Sequence, residues 1–370
     1  MSPDFSRDVY CVLGLPFDAL GMDGAVARVQ DAVRERRPCF FSTPNLSFVT
    51  AAQRNPVLRD SVIRSDMSIA DGMPLLWAAR LMGVPLPERV AGSSLFTRLW
   101  HGTQTPIKVF FFGGGDGVAA AASERLNSGG GGLRCVGFDS PGFGSVQQMS
   151  GDERIERINA SGAEFIVVSI GVAKGQAWIE HNRTRLQAPV IAYLGAVVNF
   201  VAGKVQRAPP WMQRAGLEWL WRIKEEPALW RRYASDGAMF ARLLATRVIP
   251  YGVNARRRAP GAAAMAGAGV AITRGDQRTE LKLRGAWTSQ NLGPLRQALA
   301  EASAGDGTLR LDLEAVSYLD SAAIALLCAL WAHCALRQRP LAVCNAGPGV
   351  ERVVRYCCAE YLLSGTRERA

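Results

Sequence analysis

The sequence offers little that could hold a metal ion or form a disulfide. Its three histidines, His101, His181 and His333, are scattered along the chain, and no two of its eight cysteines have the C-x-x-C spacing. Most of the cysteines lie in apolar stretches, which is typical of reduced thiols in a protein core. We therefore expect eight free cysteines, no bound metal and no other cofactor.

From the sequence we also expect neither a signal peptide nor a membrane span. The segment MSPDFSRDVY has no basic-then-apolar pattern, and the longest strictly apolar run, from Ala322 to Ala332, is far shorter than the roughly 20 residues that cross a bilayer. We expect a cytoplasmic protein of ordinary globular composition, with 48% hydrophobic and 20% charged residues. A length of 370 residues predicts two domains.

Negative charge is in short supply, and the formal net charge is +11. The segment from Lys204 to Arg258 holds twelve basic and four acidic residues, and it also holds four of the nine tryptophans. Such a segment binds nucleic acid by stacking and phosphate contact, or lies on an anionic membrane surface, or forms a solvated helix face. Composition alone leaves all three interpretations open.

Short β-rich runs alternate with amphipathic helical stretches over the first two hundred residues. The runs are VYCVLG, PCFFS, MSIAD, KVFFFGG, LRCVGF, EFIVVSIG and VIAYLG. This alternation predicts an α/β fold with a Rossmann-like parallel sheet and flanking helices.

Composition changes mark the expected domain boundaries. We predict an α/β core over residues 1–203 and a basic, aromatic and helical appendage over 204–254. Residues 255–269 are rich in Ala, Gly, Pro and Arg without an apolar period, which is typical of a linker. A smaller α/β domain should follow over 270–370.

Polar side chains follow two of the predicted strands. Thr43 and Asn45 come directly after PCFFS, and Asp71 follows MSIA. Open α/β sheets bind ligands at the carboxyl ends of their strands. There Asp71 could be a general base, a metal ligand or a helix cap, and Thr43 and Asn45 could contact substrate or cap a turn and a helix. Arg89, in front of a Gly-Ser-Ser turn, has the planar fork that suits an anion clamp.

A glycine-rich turn follows the predicted strand KVFFFGG. Gly113 and Gly114 belong to the string GGGDG, which precedes a predicted helix. Backbone N–H groups in such a turn can hold a phosphate, but the spacing is not G-x-G-x-x-G and no GK[ST] follows. A phosphate cradle and a tight turn both remain open.

The strings TPN, ADGMPLLWAAR, ERVAG, AKGQAWIEHN and AGKVQRAPPWMQRAGLEWLWR resemble the WecG/TagA/CpsF glycosyltransferases, from about Val12 to Ile249. The resemblance implies inverting, metal-independent transfer of a sugar, usually from a UDP-sugar, to a polyprenyl-diphosphate-linked saccharide. It places this reaction at the cytoplasmic face of the membrane, in cell-surface polysaccharide synthesis. The second domain resembles STAS domains through TLRLDLEAVSYLDSAAIALLCAL.

The resemblance also implies roles for individual residues. Asp71 matches the proposed general base, and Thr43 and Asn45 match polar active-site positions. The implied substrate-binding residues are Arg89, Gly113, Gly114, Lys174, Gln176, Arg207, Arg214 and Arg222, the last three of which belong to a segment thought to close over the site and touch lipid. Ser321 matches the serine that is phosphorylated in some STAS domains, where it would regulate the binding of a protein partner; it could equally be a helix cap.

The chain departs from the family pattern at four positions. Gly175 stands at the usual Gln position and Gln176 at the usual Glu position, while Ser94 and Asn199 replace aspartates. These departures permit a second interpretation, a catalytically impaired homologue that serves as a scaffold in a polysaccharide assembly complex. Nucleic-acid binding is the third interpretation, but the aromatic spacing of the basic segment falls within the family string.

Overall fold

The computed structural model describes residues 3–102, 105–206, 208–209, 211–212, 216–275 and 277–364. The chain divides into two compact units, each built from more than one chain segment. The mixed-sheet unit comprises Met1–Ala19, Trp77–Leu86 and Met239–Ala370, and the parallel-sheet unit comprises Leu20–Leu76 and Pro87–Ala238.

The parallel-sheet unit is built on a six-stranded sheet in the order β4-β3-β8-β7-β5-β6. The strands are β3 (Cys39–Ser42), β4 (Met67–Ser68), β5 (Ile107–Gly113), β6 (Leu133–Asp139), β7 (Phe165–Ser169) and β8 (Val190–Tyr193). Every neighbouring pair is parallel. The predicted Rossmann-like sheet is confirmed.

Helices cover both faces of this sheet. One face packs against α1 (Met22–Arg34), α5 (Gly92–Gly102), α6 (Val118–Ser128) and α9 (Val197–Val201). On the other face, the ring of Trp178 in α8 (Val172–Asn182) stacks on Phe112 at a centroid distance of 4.0 Å. The remaining helices that lie wholly or partly in this unit are α2 (Leu46–Ala52), α3 (Pro56–Ile63), α4 (Met73–Met82), α7 (Asp152–Ala160), α10 (Glu218–Glu225) and α11 (Trp230–Leu243). Strands buried on both faces read as unbroken apolar runs, which is why the central strands β5, β7 and β8 were clear in the sequence.

The N-terminal run VYCVLG was predicted as a strand of the parallel sheet, and this prediction is wrong. β1 (Val9–Val12) pairs antiparallel with β2 (Leu15–Asp18) in a separate hairpin of the mixed-sheet unit. Leu13 and Gly14 form its two-residue loop, and their φ angles of 52° and 87° both lie in the left-handed region. Two such residues make the tight turn whose twist matches a β-hairpin.

The mixed-sheet unit also contains the second predicted domain, a four-stranded sheet in the order β12-β11-β10-β9. Its strands are β9 (Gly269–Arg274), β10 (Arg278–Trp287), β11 (Thr308–Leu319) and β12 (Leu341–Cys344), and only the β9–β10 pair is antiparallel. The helices are α12 (Ile249–Arg257), α13 (Ala262–Ala266), α14 (Gly293–Ser303), α15 (Ser321–Leu336) and α16 (Pro348–Tyr356), and a π-helical turn over Leu244–Val248 joins α11 to α12. The smaller α/β domain is confirmed.

The longest apolar run of the sequence lies in α15, where thirteen residues are buried. A helix that is hydrophobic on all sides belongs in a protein interior or a membrane, and the burial of α15 assigns it to the interior. Among the described residues we find no helix that combines the length and apolar composition needed to cross a membrane.

The segment predicted as a linker contains regular structure. Residues 255–257 complete α12, α13 occupies Ala262–Ala266, and Gly269 opens β9. The boundaries at 203, 254 and 269 remain predictions. All eight cysteines are free thiols, and all but Cys344 are buried, as expected.

Candidate functional site

The carboxyl ends of all six parallel strands lie along one edge of the sheet. From β5 the chain continues to β6 on one side, whereas from β7 it continues to β8 on the other. The strand order therefore reverses between β5 and β7, where Gly113 pairs with Ser169. Such a reversal opens a crevice that binds ligands in open α/β sheets.

Asp71 lies at this edge, and Gly92 connects it to Thr43. The backbone N–H of Gly92 donates to Asp71 Oδ2 at 3.3 Å, and the N–H of Asp71 donates to the Pro44 carbonyl at 2.9 Å. A Cβ on Gly92 would lie 3.0 Å from Thr43 Oγ1 and 2.6 Å from Leu194 Cδ2, so only glycine fits here without displacing its neighbours. The structure thus brings Thr43 and Asp71 together from two different strands.

Asn45 has the structural role that the sequence left open. Its side-chain oxygen accepts a hydrogen bond from the N–H of Phe48 at 3.2 Å, which caps α2. The cap satisfies a backbone donor that no helical carbonyl can reach. This hydrogen bond also orients the Asn45 amide at the sheet edge, where its NH₂ group can still donate to a substrate.

The glycine-rich turn is shaped by packing against β7. Gly113 and Gly114 have φ angles of 108° and 91°, and the N–H of Gly114 donates to the Ser169 carbonyl at 3.0 Å. A Cβ on Gly113 would overlap that same carbonyl. Because the Gly114 N–H is already bonded to β7, the structure supports the tight-turn interpretation for these two glycines.

Arg89 is partnered within the parallel-sheet unit. Its Nη1 and Nη2 donate to the two carboxylate oxygens of Glu218 at 2.8 and 3.2 Å. Glu218 opens α10, so the ion pair ties the start of the appendage to the loop before α5. The exposed fractions of the two side chains are 14% and 34%, which leaves the carboxylate accessible to solvent.

A second contact ties the appendage to α2. Asp236 of α11 accepts hydrogen bonds from Ser47 Oγ at 2.5 Å and from Thr50 Oγ1 at 2.6 Å. Sequence analysis missed both Glu218 and Asp236. Glu218 belongs to the GLEW part of the family string, which could have identified it as a candidate. Asp236 lies outside every such string, so no sequence pattern indicated its contacts.

Gln176 and Lys174 lie on the same helix but in different environments. Gln176 is completely buried, where its amide donates to Ser42 Oγ at 3.1 Å and accepts from Ser61 Oγ at 2.8 Å. We therefore assign Gln176 to the core of the unit, in place of the predicted contact with substrate. Lys174 is partly exposed in the first turn of α8, beyond the end of β7.

Tyr193 lies at the same edge of the sheet, and sequence analysis did not identify it. It ends β8, and its ring fills the space beside Gly175 and Gly195, where a Cβ on either glycine would overlap it. Burial raises the pKa of Tyr193 to about 12, although the nearby positive charge of Arg232 opposes the shift. The phenol is therefore a neutral hydrogen-bond donor at physiological pH. Gly175, which departs from the family pattern, could have indicated that a large side chain packs against this position.

The appendage arginines are only partly described. Arg222 donates to Glu226 at 3.1 Å within α10 and its adjoining turn. Arg207 and Arg214 lie outside the described residues, so their predicted contacts with substrate and lipid remain predictions.

Ser321 is enclosed within the mixed-sheet unit. Its side chain is buried, its Oγ donates to the Cys11 carbonyl at 2.8 Å, and its N–H donates to the Tyr251 hydroxyl at 2.8 Å. The N-cap of α15 is Asp320, which accepts from the N–H of Ala323 at 2.8 Å, and not Ser321. A kinase cannot reach a hydroxyl in this position, so the burial of Ser321 argues against its predicted phosphorylation.

Within the described part of the chain, no group of three or more His, Cys, Asp or Glu side chains is arranged to hold a metal ion. The polar groups at or beside the sheet edge are the Asp71 carboxylate, the Thr43 and Tyr193 hydroxyls, the Asn45 amide and the Arg89 guanidinium. This set can accept a proton, orient a hydroxylated substrate and balance negative charge.

Comparison with known proteins agrees with this arrangement. Residues 10–252 match the glycosyl transferase WecG/TagA/CpsF family, and residues 270–363 match the Mlab, STAS domain family. The chain is 30% identical over 202 residues to the N-acetylglucosaminyldiphosphoundecaprenol N-acetyl-beta-D-mannosaminyltransferase of Bacillus spizizenii, covering 54% of this chain and 77% of that protein. It is 26% identical over 196 residues to the Bacillus subtilis protein of the same name, covering 52% and 74%.

The family match spans well over half of the chain and includes every described site residue at the sheet edge. The C-terminal match coincides with the smaller α/β domain. The chain is therefore a glycosyltransferase of the WecG/TagA/CpsF family that carries a C-terminal STAS domain.

Proposed function

We propose that this glycosyltransferase moves a sugar from a UDP-sugar to a polyprenyl-diphosphate-linked saccharide, with inversion at the anomeric carbon. The observation that carries the proposal is the carboxylate of Asp71 at the sheet edge, held by the Gly92 N–H and brought beside Thr43. The names of the two Bacillus relatives specify a diphosphoundecaprenol-linked acceptor and a β-linked sugar. The first feature supports the acceptor class, and the second supports a β-linked product.

In the proposed step Asp71 takes the proton of the acceptor hydroxyl. The acceptor oxygen attacks the anomeric carbon from the face opposite the leaving group, and the bond from that carbon to the donor phosphate breaks. The electron pair leaves with the nucleoside diphosphate, and the proton remains on Asp71 until water removes it. Thr43 and the free amide hydrogens of Asn45 orient the hydroxylated substrate.

The departing diphosphate needs positive charge beside it. Arg89 is the described arginine closest in sequence to Gly92, and its fork suits two phosphate oxygens. Glu218 now fills that fork, so donor binding would have to displace or share the carboxylate. Lys174 and Arg222 are further cationic groups for the diphosphate, and the step as proposed uses no metal.

We further propose that the enzyme works peripherally at the inner face of the cell membrane. The appendage exposes Trp211, Trp219 and Trp230 to extents of 63%, 43% and 55%. Indole rings among basic side chains suit the headgroup layer of an anionic membrane. We also propose a protein partner for the STAS domain, bound on a surface other than the enclosed Ser321 end of α15.

A transfer assay tests the proposed reaction. Purified full chain is incubated with radiolabelled UDP-sugars, one at a time, and with N-acetylglucosaminyl-diphosphoundecaprenol in detergent. We expect one donor to label the lipid fraction, with a β-linkage in the product from an α-linked donor. Folded protein that labels no lipid with any donor would overturn the proposal and favour the scaffold interpretation.

A further inference from the structure

Four large apolar side chains of the mixed-sheet unit are exposed on two neighbouring helices. Trp77 and Leu81 of α4 are 45% and 44% exposed, and Ile249 and Val253 of α12 are 50% and 41% exposed. In each helix the two residues are four apart, so they lie on one face. We name these four residues the apolar stripe.

The backbones of the two helices touch at a glycine. A Cβ on Gly252 would overlap the carbonyl oxygen of Leu81, so the backbones of α4 and α12 are in direct contact. Val253 follows Gly252 directly and therefore borders the same seam as Leu81. Tyr251 is 3% exposed and anchors the opposite side of α12 in the interior of the unit.

The surroundings of the stripe are basic. Arg80, Arg256 and Arg257 are exposed, and Arg256 lies three residues after Val253 on the same helix face. No acidic residue occurs in the sequence between Asp71 and Glu88 or between Asp236 and Asp276. Within the described residues, none of these three arginines has an ion-pair partner. The described part of the chain thus leaves their charge uncompensated.

We propose that the apolar stripe and these three arginines form a membrane-docking surface for an anionic bilayer. The proposal rests on the proposed function only in that a lipid-linked acceptor requires an enzyme at the bilayer. Apolar side chains on one face of two helices can enter the acyl boundary, and an indole suits the headgroup layer. Uncompensated arginines fit anionic headgroups and add about fivefold in affinity each. Ile249 and Val253 fall within the predicted appendage, but the exposed tryptophans of that segment belong to the other compact unit.

Vesicle co-sedimentation of the full chain tests the proposal. The vesicles contain phosphatidylglycerol and phosphatidylcholine in equal parts, or phosphatidylcholine alone. We expect the Leu81→Ser/Val253→Ser variant to bind the mixed vesicles about tenfold more weakly than the unmodified chain. The matched control is Val57→Ser/Leu336→Ser. It removes two apolar side chains that lie outside the stripe and are 51% and 48% exposed, so it should leave vesicle binding unchanged.

Charge is tested in the same assay. Arg256→Gln/Arg257→Gln should weaken binding to mixed vesicles by tenfold or more and reduce its salt dependence, whereas Arg36→Gln/Arg134→Gln should not. Binding that neither test variant changes would overturn the proposal. It would also be overturned if the unmodified chain formed dimers that the serine variant dissociates while vesicle binding stays unchanged, because the stripe would then be an interface between copies.

Transfer to the detergent-solubilised acceptor separates this proposal from the proposed function. The serine variant should keep the full rate in detergent, because the stripe and Asp71 belong to different compact units. If the unmodified chain transfers no sugar but its vesicle binding depends on the stripe, the docking surface stands and the proposed function fails. If the unmodified chain transfers sugar but its vesicle binding does not depend on the stripe, the proposed function stands and the docking surface fails.

Discussion

Arg89 and Glu218 lie 129 positions apart in the chain and form a two-point ion pair, with donor–acceptor distances of 2.8 and 3.2 Å. If Arg89 binds the donor diphosphate, the carboxylate competes with it. Glu218→Gln should therefore bind UDP more tightly, by up to about fivefold for a partly exposed pair, as measured by titration calorimetry. Glu225→Gln removes the same charge from the same helix and should bind UDP like the unmodified chain. Weaker binding by Glu218→Gln would mean that the carboxylate positions Arg89 for the donor.

Removal of the Asp71 carboxylate should stop catalysis without unfolding the protein. A positioned general base contributes about 10²–10⁴ in rate, so Asp71→Asn should lose most turnover while its melting temperature changes little. Asp116 is exposed in the turn after β5 and serves as the comparison. If Asp116→Asn lost activity and Asp71→Asn kept the normal rate, the general base would be Asp116, after β5, and not Asp71, after β4.

The residue that the family usually carries at position 175 should not fit this chain. In Gly175→Gln the new side chain meets the ring of Tyr193, and overpacking of this kind costs about 1–3 kcal/mol of unfolding free energy. Gly237→Gln, in α11, makes the same change where an added Cβ meets nothing within 4 Å, and so controls for the gain in helix propensity. Urea unfolding of Gly175→Gln, Tyr193→Ala and the double variant should show coupling, with the double variant more stable than the sum of the single changes predicts. Additive effects would mean that the two residues do not share one space.

A negative charge at Ser321 should destabilise the mixed-sheet unit rather than mimic a regulatory signal. The side chain is buried with its hydroxyl bonded to the Cys11 carbonyl, so Ser321→Asp brings a carboxylate against an acceptor oxygen. We expect a loss of more than about 2 kcal/mol, seen as a lower melting temperature. Ser317→Asp adds the same charge at an exposed position of β11 and should be nearly neutral. A stable Ser321→Asp protein would reopen the phosphorylation hypothesis.

His333 should make the stability of this unit depend on pH. Burial lowers the pKa of His333, and the charges of Arg337 and Arg339 add to that effect, although its hydrogen bond to the Ser303 carbonyl opposes it. Because the folded-state pKa lies below the unfolded value of about 6.5, stability should fall as the pH drops below that value. The free energy of unfolding can change by up to about 1.4 kcal/mol per pH unit. His333→Gln should abolish this slope in urea titrations and His101→Gln should retain it, and an unchanged slope in His333→Gln would assign the effect to another group.

The parts of the fold that could be predicted from the sequence are those in which local composition follows the burial of the strand. KVFFFGG and EFIVVSIG are apolar without alternation because both faces of β5 and β7 are covered. VYCVLG has the same composition but lies in a hairpin, and the distinguishing signal was the two-residue turn at Leu13 and Gly14.

The sequence predicted the part of the candidate site that depends only on the order and direction of the strands. Thr43, Asn45 and Asp71 reach one edge because parallel strands end on the same side. The Asp236 contacts with Ser47 and Thr50 join residues 189 and 186 positions apart, and no local pattern encodes such an approach. The burial of Gln176 was hidden for the same reason, since its partners Ser42 and Ser61 come from distant segments.

The hairpin at the start of the mixed-sheet unit has a consequence for how the chain is made. The Cys11 carbonyl receives its hydrogen bond from Ser321, 310 residues later in the chain, and the Gly14 carbonyl receives one from Tyr361, 347 residues later. At a synthesis rate of about 5–20 residues per second, the ribosome needs roughly 15–70 s to produce these partners. Throughout that time the hairpin lacks both of these native partners. Chaperones that hold nascent chains should therefore be engaged first at residues 9–18, and the mixed-sheet unit should fold last.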